Sequence, residues 1–398
     1  MINQPLIEYL SKLKHRGLHR KRILTSVGES VINFSSNDYL SLSEEWCIRN
    51  AFQKGFAHHA SGSGGSMVIC GYHKSHRELE HAFSQALGVD DALLFSSGYA
   101  ANLGIVSLFA YFNAHFFLDK GTHASFYDGL RLANGNYTRY PHNDIQNLTN
   151  KLQTQPSNPV VIAESVYSMS GQETDLRKMS ELCSNYNADC VVDEAHAFGI
   201  LGEQGLGAIK RYGLSQQEIP LRIIPLGKAF AFQGAVVAGQ GEWIDALLQL
   251  ARSHIYSTAV SPALAYGLLE TLAFIQKADD RRQKLHDLID YFQSAIKNSP
   301  LKWRSSTTPI QQLQLGCPYK ALNFATELRR RGIFCQAMRE PTVNRKDTGL
   351  RVVLNFHHEP EDIDRLLSEL QQIAHMEQGK KARGTFNKVH STDAYGVI

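Results

Sequence analysis

Paired cysteines, long apolar runs and a strong charge bias are all missing from this sequence. The six cysteines, Cys47, Cys70, Cys183, Cys190, Cys317 and Cys335, are scattered over 398 residues without a C-x-x-C pair. Such spacing excludes a disulfide framework or a cysteine zinc site and reads as thiols in a reducing compartment. His58-His59 and His357-His358 are adjacent in sequence, so their rings point different ways, and no metal is expected. No apolar run approaches the roughly 18–20 residues that span a bilayer. Met1–Leu18 is interrupted by Lys12, Lys14 and Arg16 and lacks the apolar core of a signal peptide. The 41 basic and 38 acidic residues nearly balance, which argues against nucleic acid or a membrane surface as partner. A cytoplasmic protein is expected.

What remains is ordinary globular material, 43 % hydrophobic. A single core rarely grows past roughly 250–300 residues, so one large and one smaller domain are expected. The spacing predicts an amphipathic helix near the N-terminus, then a basic turn at His19–Arg22 and a short extended stretch at Val31–Phe34. Residues 61–66, Ser-Gly-Ser-Gly-Gly-Ser, read as a loop able to approach a ligand closely. From about 75 to 260, short apolar strands (Ala92–Phe95, His115–Leu118, Val160–Ala163, Cys190–Val192, Ile223-Ile224, Ala235–Ala238) alternate with helical periodicity. That is the pattern of a mostly parallel sheet covered on both faces, with ligands beyond the strands' carboxyl ends. Residues 262–297 read as helical. Residues 310–373 alternate strand and helix, with one strand at Gly332–Ala337 and a last helix at Pro360–His375. Residues 377–398 lack periodicity and read as a mobile tail.

Four polar positions fall at predicted strand ends: Gly98-Tyr99, Ser168, Asp193 with His196, and Lys228. Each alone has a plain structural explanation, a helix cap or a surface turn. Together on one rim they fit pyridoxal phosphate (PLP). A lysine amine can hold the aldehyde as a Schiff base, and an acid keeps the pyridine nitrogen protonated. The run Ser96–Ala100, a turn followed by a helix, offers backbone N–H groups to a phosphate. His123 is suited to stack on the ring.

These residues carry a resemblance. Over roughly residues 15–375 the chain resembles the α-oxoamine synthases, PLP enzymes of the aspartate-aminotransferase-like fold. The matching segments are Phe34–Leu40, Gly62–Ser66 with Gly71-Tyr72 and His76, Ser97–Asn102, His142–Asp144, Glu164–Met169, Val192–His196, Ile255–Thr258, Arg339–Thr342 and Asp362–Leu366. The resemblance implies an α/β, fold type I PLP-dependent transferase with a mostly parallel central sheet and a smaller α+β C-terminal domain. The expected division is an arm at 1–45, a PLP-binding domain at 46–280, a small domain at 281–376 and the tail.

The resemblance also implies roles. Lys228 would carry the cofactor, Asp193 would pair with the pyridinium, His196 would contact the ring oxygen and His123 would stack. Gly98 and Tyr99 would bind the phosphate, and Ser168 would bond near the ring oxygen. Thr258 would reach the phosphate of a neighbouring subunit in a homodimer with shared sites. Asn37 and Arg351 would hold an amino-acid carboxylate, and Arg20 and Thr342 would meet an acyl substrate. The implied activity is a decarboxylating Claisen condensation of L-alanine with a pimeloyl thioester, carried by coenzyme A or an acyl carrier protein, in biotin biosynthesis. The alternatives are a sister reaction (glycine acetyltransferase, aminolevulinate-type or signal aminoketone synthase) or a catalytically weak paralogue. Two positions depart from the family pattern. Pro225 stands where a hydroxyl residue is usual, so the phosphate grip is expected to weaken or pass to Ser257 and Thr258. Ala231 stands where glycine is frequent.

Overall fold

A computed structural model describes residues 2–24, 31–154 and 156–382. The chain divides into two units, residues 37–286 with 355–357, and residues 1–36 with 287–354 and 358–398. The boundaries thus fall at 36/37 and 286/287, where the sequence suggested 45 and 280. The N-terminal segment groups with the C-terminal one.

The larger unit is built on a seven-stranded sheet. Its order is Asp91–Phe95, Ala235–Gly239, Leu221–Pro225, Asp189–Asp193, Pro159–Glu164, His115–Asp119 and Asn136–Tyr140. Every neighbouring pair is parallel except the two made by Ala235–Gly239, which runs against the rest. The inner strands are buried along nearly their whole length, as a sheet covered on both faces requires. One alternate set of side chains, Leu93, Phe116, Leu118, Val160, Ile162, Val191, Ile223 and Val237, packs with Ala101, Ile105 and Leu108 of the helix Gly98–Tyr111. The other set, including Leu94, Phe117, Val161, Val192 and Ile224, points the opposite way. The helices Lys74–Leu87 and Leu176–Asn185 also contact this sheet.

Among the elements that lacked a sequence signal are the helices Trp46–His58, Ala124–Ala133, Ile145–Leu152, Gly207–Tyr212, Gly241–Leu250 and Arg252–Ile255, and the edge strand Asn136–Tyr140. No helix among the described residues is long and apolar enough to cross a membrane. Among them no cluster of three His, Cys, Asp or Glu side chains could hold a metal.

The smaller unit carries a three-stranded antiparallel sheet, Ala337–Met338, Gly349–Val353 and Ile310–Gln314 in that order. It also holds the helices Asn3–His15, Pro318–Arg330 and Pro360–Ala382. Two expectations are corrected here. The single strand expected at Gly332–Ala337 is two short ones, because each half pairs with a different partner. Ile333–Phe334 runs parallel to Ile32–Asn33, and Ala337–Met338 pairs with Gly349-Leu350. The last helix does not stop at His375 but continues to Ala382, so residues 377–382 are helical and not tail. Residues 383–398 lie outside the described residues.

Candidate active site

The strand register sets the site. Glu164 and Asp193 end neighbouring parallel strands and stand directly beside each other, with Ile223 next in line. All three share the parity of Ile162 and Val191, the set that packs with the helix Gly98–Tyr111. Two carboxyl groups are therefore buried side by side at the carboxyl rim of the sheet.

Asp193 is 4 % exposed. Its Oδ1 accepts the Ala195 N–H at 2.9 Å and its Oδ2 accepts from Asn102 Nδ2 at 3.3 Å. Burial raises its pKa above the ordinary aspartate value; the Ala195 N–H, His123, the Asn102 amide and Lys228 pull the other way. The Lys228 charge thus bears on this carboxylate. Glu164 is pushed well above the ordinary range by burial and then by Asp193. Burial and the neighbouring Asp193 carboxylate both favour the protonated form of Glu164, whereas the Lys228 charge and the two donors on Asp193 favour the ionised form of Asp193. Glu164 also fixes two loops. Its Oε1 accepts the His123 N–H at 2.6 Å and its Oε2 the Ser168 N–H at 3.4 Å.

His123 caps the helix Ala124–Ala133, and its Nδ1 lies 2.7 Å from Ser125 Oγ. The turn leading to it is tied down by buried Asp119, which accepts from the N–H groups of Gly121 at 2.5 Å and Asn143 at 2.6 Å and lies 2.9 Å from His142 Nδ1. His196 Nδ1 lies 2.6 Å from the hydroxyl of fully buried Tyr39, which also donates to Asn37 Oδ1 at 3.4 Å. Asn37 is thereby linked to His196.

Ser97 caps the helix Gly98–Tyr111 by accepting the Ala100 N–H at 3.1 Å, and the N–H groups of Gly98 and Tyr99 open the helix ahead of that bond. A Cβ at Gly98 would come 2.9 Å from Pro225 Cγ, so only glycine allows this helix start to meet the strand end. The free N–H groups at this helix start are donors available to an anion. The Tyr99 side chain is not among these donors, because its hydroxyl donates to Asp128 at 2.8 Å on the surface. Lys228 sits in a tight turn closed by Ala231 N–H to Lys228 O at 2.7 Å and Phe232 N–H to Leu226 O at 3.0 Å. Ala231 has φ 54°, a left-handed conformation that costs an L-residue about 1–2 kcal/mol and glycine nothing.

The larger unit thus carries Lys228, Asp193, His123, His196, Ser168, Gly98, Tyr99 and Asn37. Thr258 is in this unit too, exposed, on a segment held by Ala259 N–H to Gly65 O at 3.0 Å and by His76 Nε2 at 2.7 Å from Val260 O. The other three candidates belong to the smaller unit. Arg20 donates to Thr342 Oγ1 at 3.1 Å, and Arg351 is buried in the strand Gly349–Val353. Asn102, Ser125, Tyr39 and Glu164 were not singled out from the sequence. Tyr39, Asn102 and Glu164 stand in the matching segments Phe34–Leu40, Ser97–Asn102 and Glu164–Met169, and Asn102 is also a buried amide on a helix otherwise rich in apolar residues.

Residues 29–370 match the model of the aminotransferase class I and II family. The chain is 35 % identical to the 8-amino-7-oxononanoate synthase of Marinobacter nauticus, over 91 % of this chain and 94 % of that protein. It is 38 % identical to that of Herminiimonas arsenicoxydans, over 93 % and 99 %. Among solved structures, the 8-amino-7-oxononanoate synthase of Francisella tularensis superposes with TM-score 0.78 at 30 % identity, covering 88 % of this chain and 99 % of that one. The serine palmitoyltransferase of Sphingomonas wittichii gives TM-score 0.88 at 22 % identity, over 95 % and 99 %, a likeness of fold alone.

Proposed function

The chain belongs to the α-oxoamine synthases of the aminotransferase class I and II family, and on that premise we propose that it is a PLP-dependent acyltransferase making 8-amino-7-oxononanoate from L-alanine and a pimeloyl thioester. The observation that carries the cofactor is the buried Asp193 carboxylate, bearing the influence of Lys228, on the same sheet face as the glycine-opened helix start at Gly98. A buried anion with only partial compensation suits a protonated ring nitrogen, and the open helix start suits a phosphate. The residue set fits PLP.

When bound, PLP supplies an electron sink for a carbanion at the amino acid's α-carbon. Lys228 would hold the cofactor through its amine, and the same amine, when free, would be the base for the amino acid's α-proton. Asp193 would pair with the ring nitrogen, His123 would pack against the ring, and His196 and Ser168 would contact its oxygen. The N–H groups of Gly98 and Tyr99 bind the phosphate, with Thr258 contributed across a homodimer. Asn37 and Arg351 recognise the amino-acid carboxylate. Arg20 and Thr342 meet the acyl donor, and the basic run His19–Arg22 suits an acidic acyl carrier protein as well as coenzyme A. A cytoplasmic setting suits the chain's scattered, unpaired cysteines.

The test is a mass-spectrometric product assay crossing alanine and glycine with pimeloyl, acetyl, succinyl and long-chain thioesters. The expected product is 8-amino-7-oxononanoate with release of CO2 and the free thiol. Turnover restricted to glycine, or to a different acyl chain, would overturn the assignment in favour of a sister reaction.

A further inference from the structure

Resting on the cofactor reading above, we propose that Asn102 and Ser125 are positioning residues that join the ring-pairing carboxylate of Asp193 and the ring-covering imidazole of His123 into one hydrogen-bonded unit. The path is continuous. Asn102 Nδ2 donates one hydrogen to Asp193 Oδ2 at 3.3 Å and the other to Ser125 Oγ at 2.9 Å, and Ser125 Oγ lies 2.7 Å from His123 Nδ1. Its polarity is fixed at both ends. A carboxylate oxygen can only accept, so Nδ2 faces Asp193. The Ser125 backbone N–H, which can only donate, also points at His123 Nδ1, at 3.3 Å. Nδ1 is therefore an acceptor, and the proton of the neutral ring sits on Nε2.

A second observation separates this role from mere packing. Asn102 is 2 % exposed, Ser125 is fully buried, and Asn102 Oδ1 accepts no hydrogen bond among the described residues. A buried, unbonded amide oxygen is costly, because its lost hydration is not replaced. Stability alone favours an apolar residue here, in a helix whose neighbouring positions Ala101, Ile105 and Val106 are apolar core. The amide is retained for the two donors it gives, one per partner.

The experiment removes the path at two points and reads cofactor affinity and fold stability separately. Parent protein, Asn102→Leu, Ser125→Ala and the double variant are stripped of cofactor and titrated with PLP, following the visible absorbance band. Thermal unfolding of the stripped proteins is measured in parallel. Asn102→Leu is expected to weaken PLP binding about tenfold, the worth of one charge-assisted hydrogen bond, while its stripped form unfolds no earlier than the parent. Ser125→Ala should weaken binding less. The double variant should be no worse than Asn102→Leu, because residues in one chain of bonds do not act additively. Affinities within about twofold of the parent, or fully additive effects, would overturn the proposal. So would loss of stability in the stripped Asn102→Leu protein with affinity retained. Should Asn102→Leu fail to fold, the role is purely structural unless Ser125→Ala, folded, still weakens binding. A parent with no visible band would remove the cofactor assignment itself, an outcome distinct from a banded parent with indifferent variants.

Discussion

Asp193 and Glu194 are consecutive in sequence, both carboxyls, and both almost wholly excluded from water. Burial raises the pKa of each. Beyond that they differ, because consecutive residues at the end of a strand turn to different surroundings. Glu194 faces Arg222 at 3.5 Å and accepts the Ile209 N–H at 3.0 Å. Its compensating cation is built into the chain and equally buried. Asp193 has one backbone N–H, one amide, and the influence of His123 and Lys228. The first is a buried ion pair within the chain, although its facing atoms, Glu194 Oε2 and Arg222 Nη1, make no hydrogen bond among the described residues. The second leaves an anion incompletely answered, as expected where a positive ligand is to arrive. Burial of a carboxyl alone does not mark a site; at Asp193 the strand-end position and the nearby Lys228 and His123 do. Glu80 is a third case, answered only by the neutral donors Leu94 N–H at 2.8 Å and Tyr72 hydroxyl at 2.7 Å, and burial pushes it up to about 7.

Five substitutions would break or sharpen this contrast or probe the turn beside it. Lys228→Ala should have the largest effect, lowering turnover by about a thousandfold or more and abolishing borohydride trapping of the cofactor; trapping that persists would place the anchor elsewhere. Asp193→Asn should lower turnover by about a hundredfold or more, while the unfolding midpoint of the cofactor-free protein holds or rises. Glu194→Gln should do the reverse. It strands Arg222 in the core at a cost of about 3–5 kcal/mol, seen in denaturant unfolding, with turnover per folded molecule unchanged. If both variants behaved alike, the contrast would fail.

The fourth substitution concerns pH. Glu80, raised from 4.5 to about 7, is protonated more readily folded than unfolded, so its contribution makes the protein less stable as pH rises through that window. Burial lowers His254 from 6.5 to about 4, so its contribution makes the protein more stable as pH rises from 4 to 6.5. The two oppose each other. Glu80→Gln should unmask the histidine, and stability between pH 4 and 6.5 should climb relative to the parent by up to about 3 kcal/mol, measured by urea unfolding across pH. An unchanged profile would mean Glu80 titrates normally.

The smallest effect is expected at the lysine turn. Ala231→Gly relieves a left-handed alanine worth about 1–2 kcal/mol and loses about 0.5–1 kcal/mol to chain entropy. The unfolding free energy should rise by about 0.5 kcal/mol.

The sheet was legible because strands such as Val160–Ala163 and Cys190–Val192 are covered on both faces, which demands unbroken apolar runs. Asn136–Tyr140 was not legible. It is an edge strand with a single neighbour, and its mostly exposed residues carry no apolar signature. The rim positions showed because polar residues interrupt apolar strands there. The connections among them did not. Asn102 and Asp193 are 91 residues apart, and only the folded chain puts an amide beside that carboxylate. The break of Gly332–Ala337 into two strands escaped for a related reason, since pairing partners at 32 and 349 are set by topology and not by local composition.

The meeting of Gly98 with the Pro225 ring bears on how this sequence can drift. A proline has no rotamer to swing aside, and a glycine hydrogen is the most that fits at 2.9 Å from its Cγ. Neither position can enlarge while the other stays as it is. Positions 98 and 225 are therefore coupled, and a hydroxyl side chain at 225 would have to fit without disturbing the single atom of clearance at the helix start.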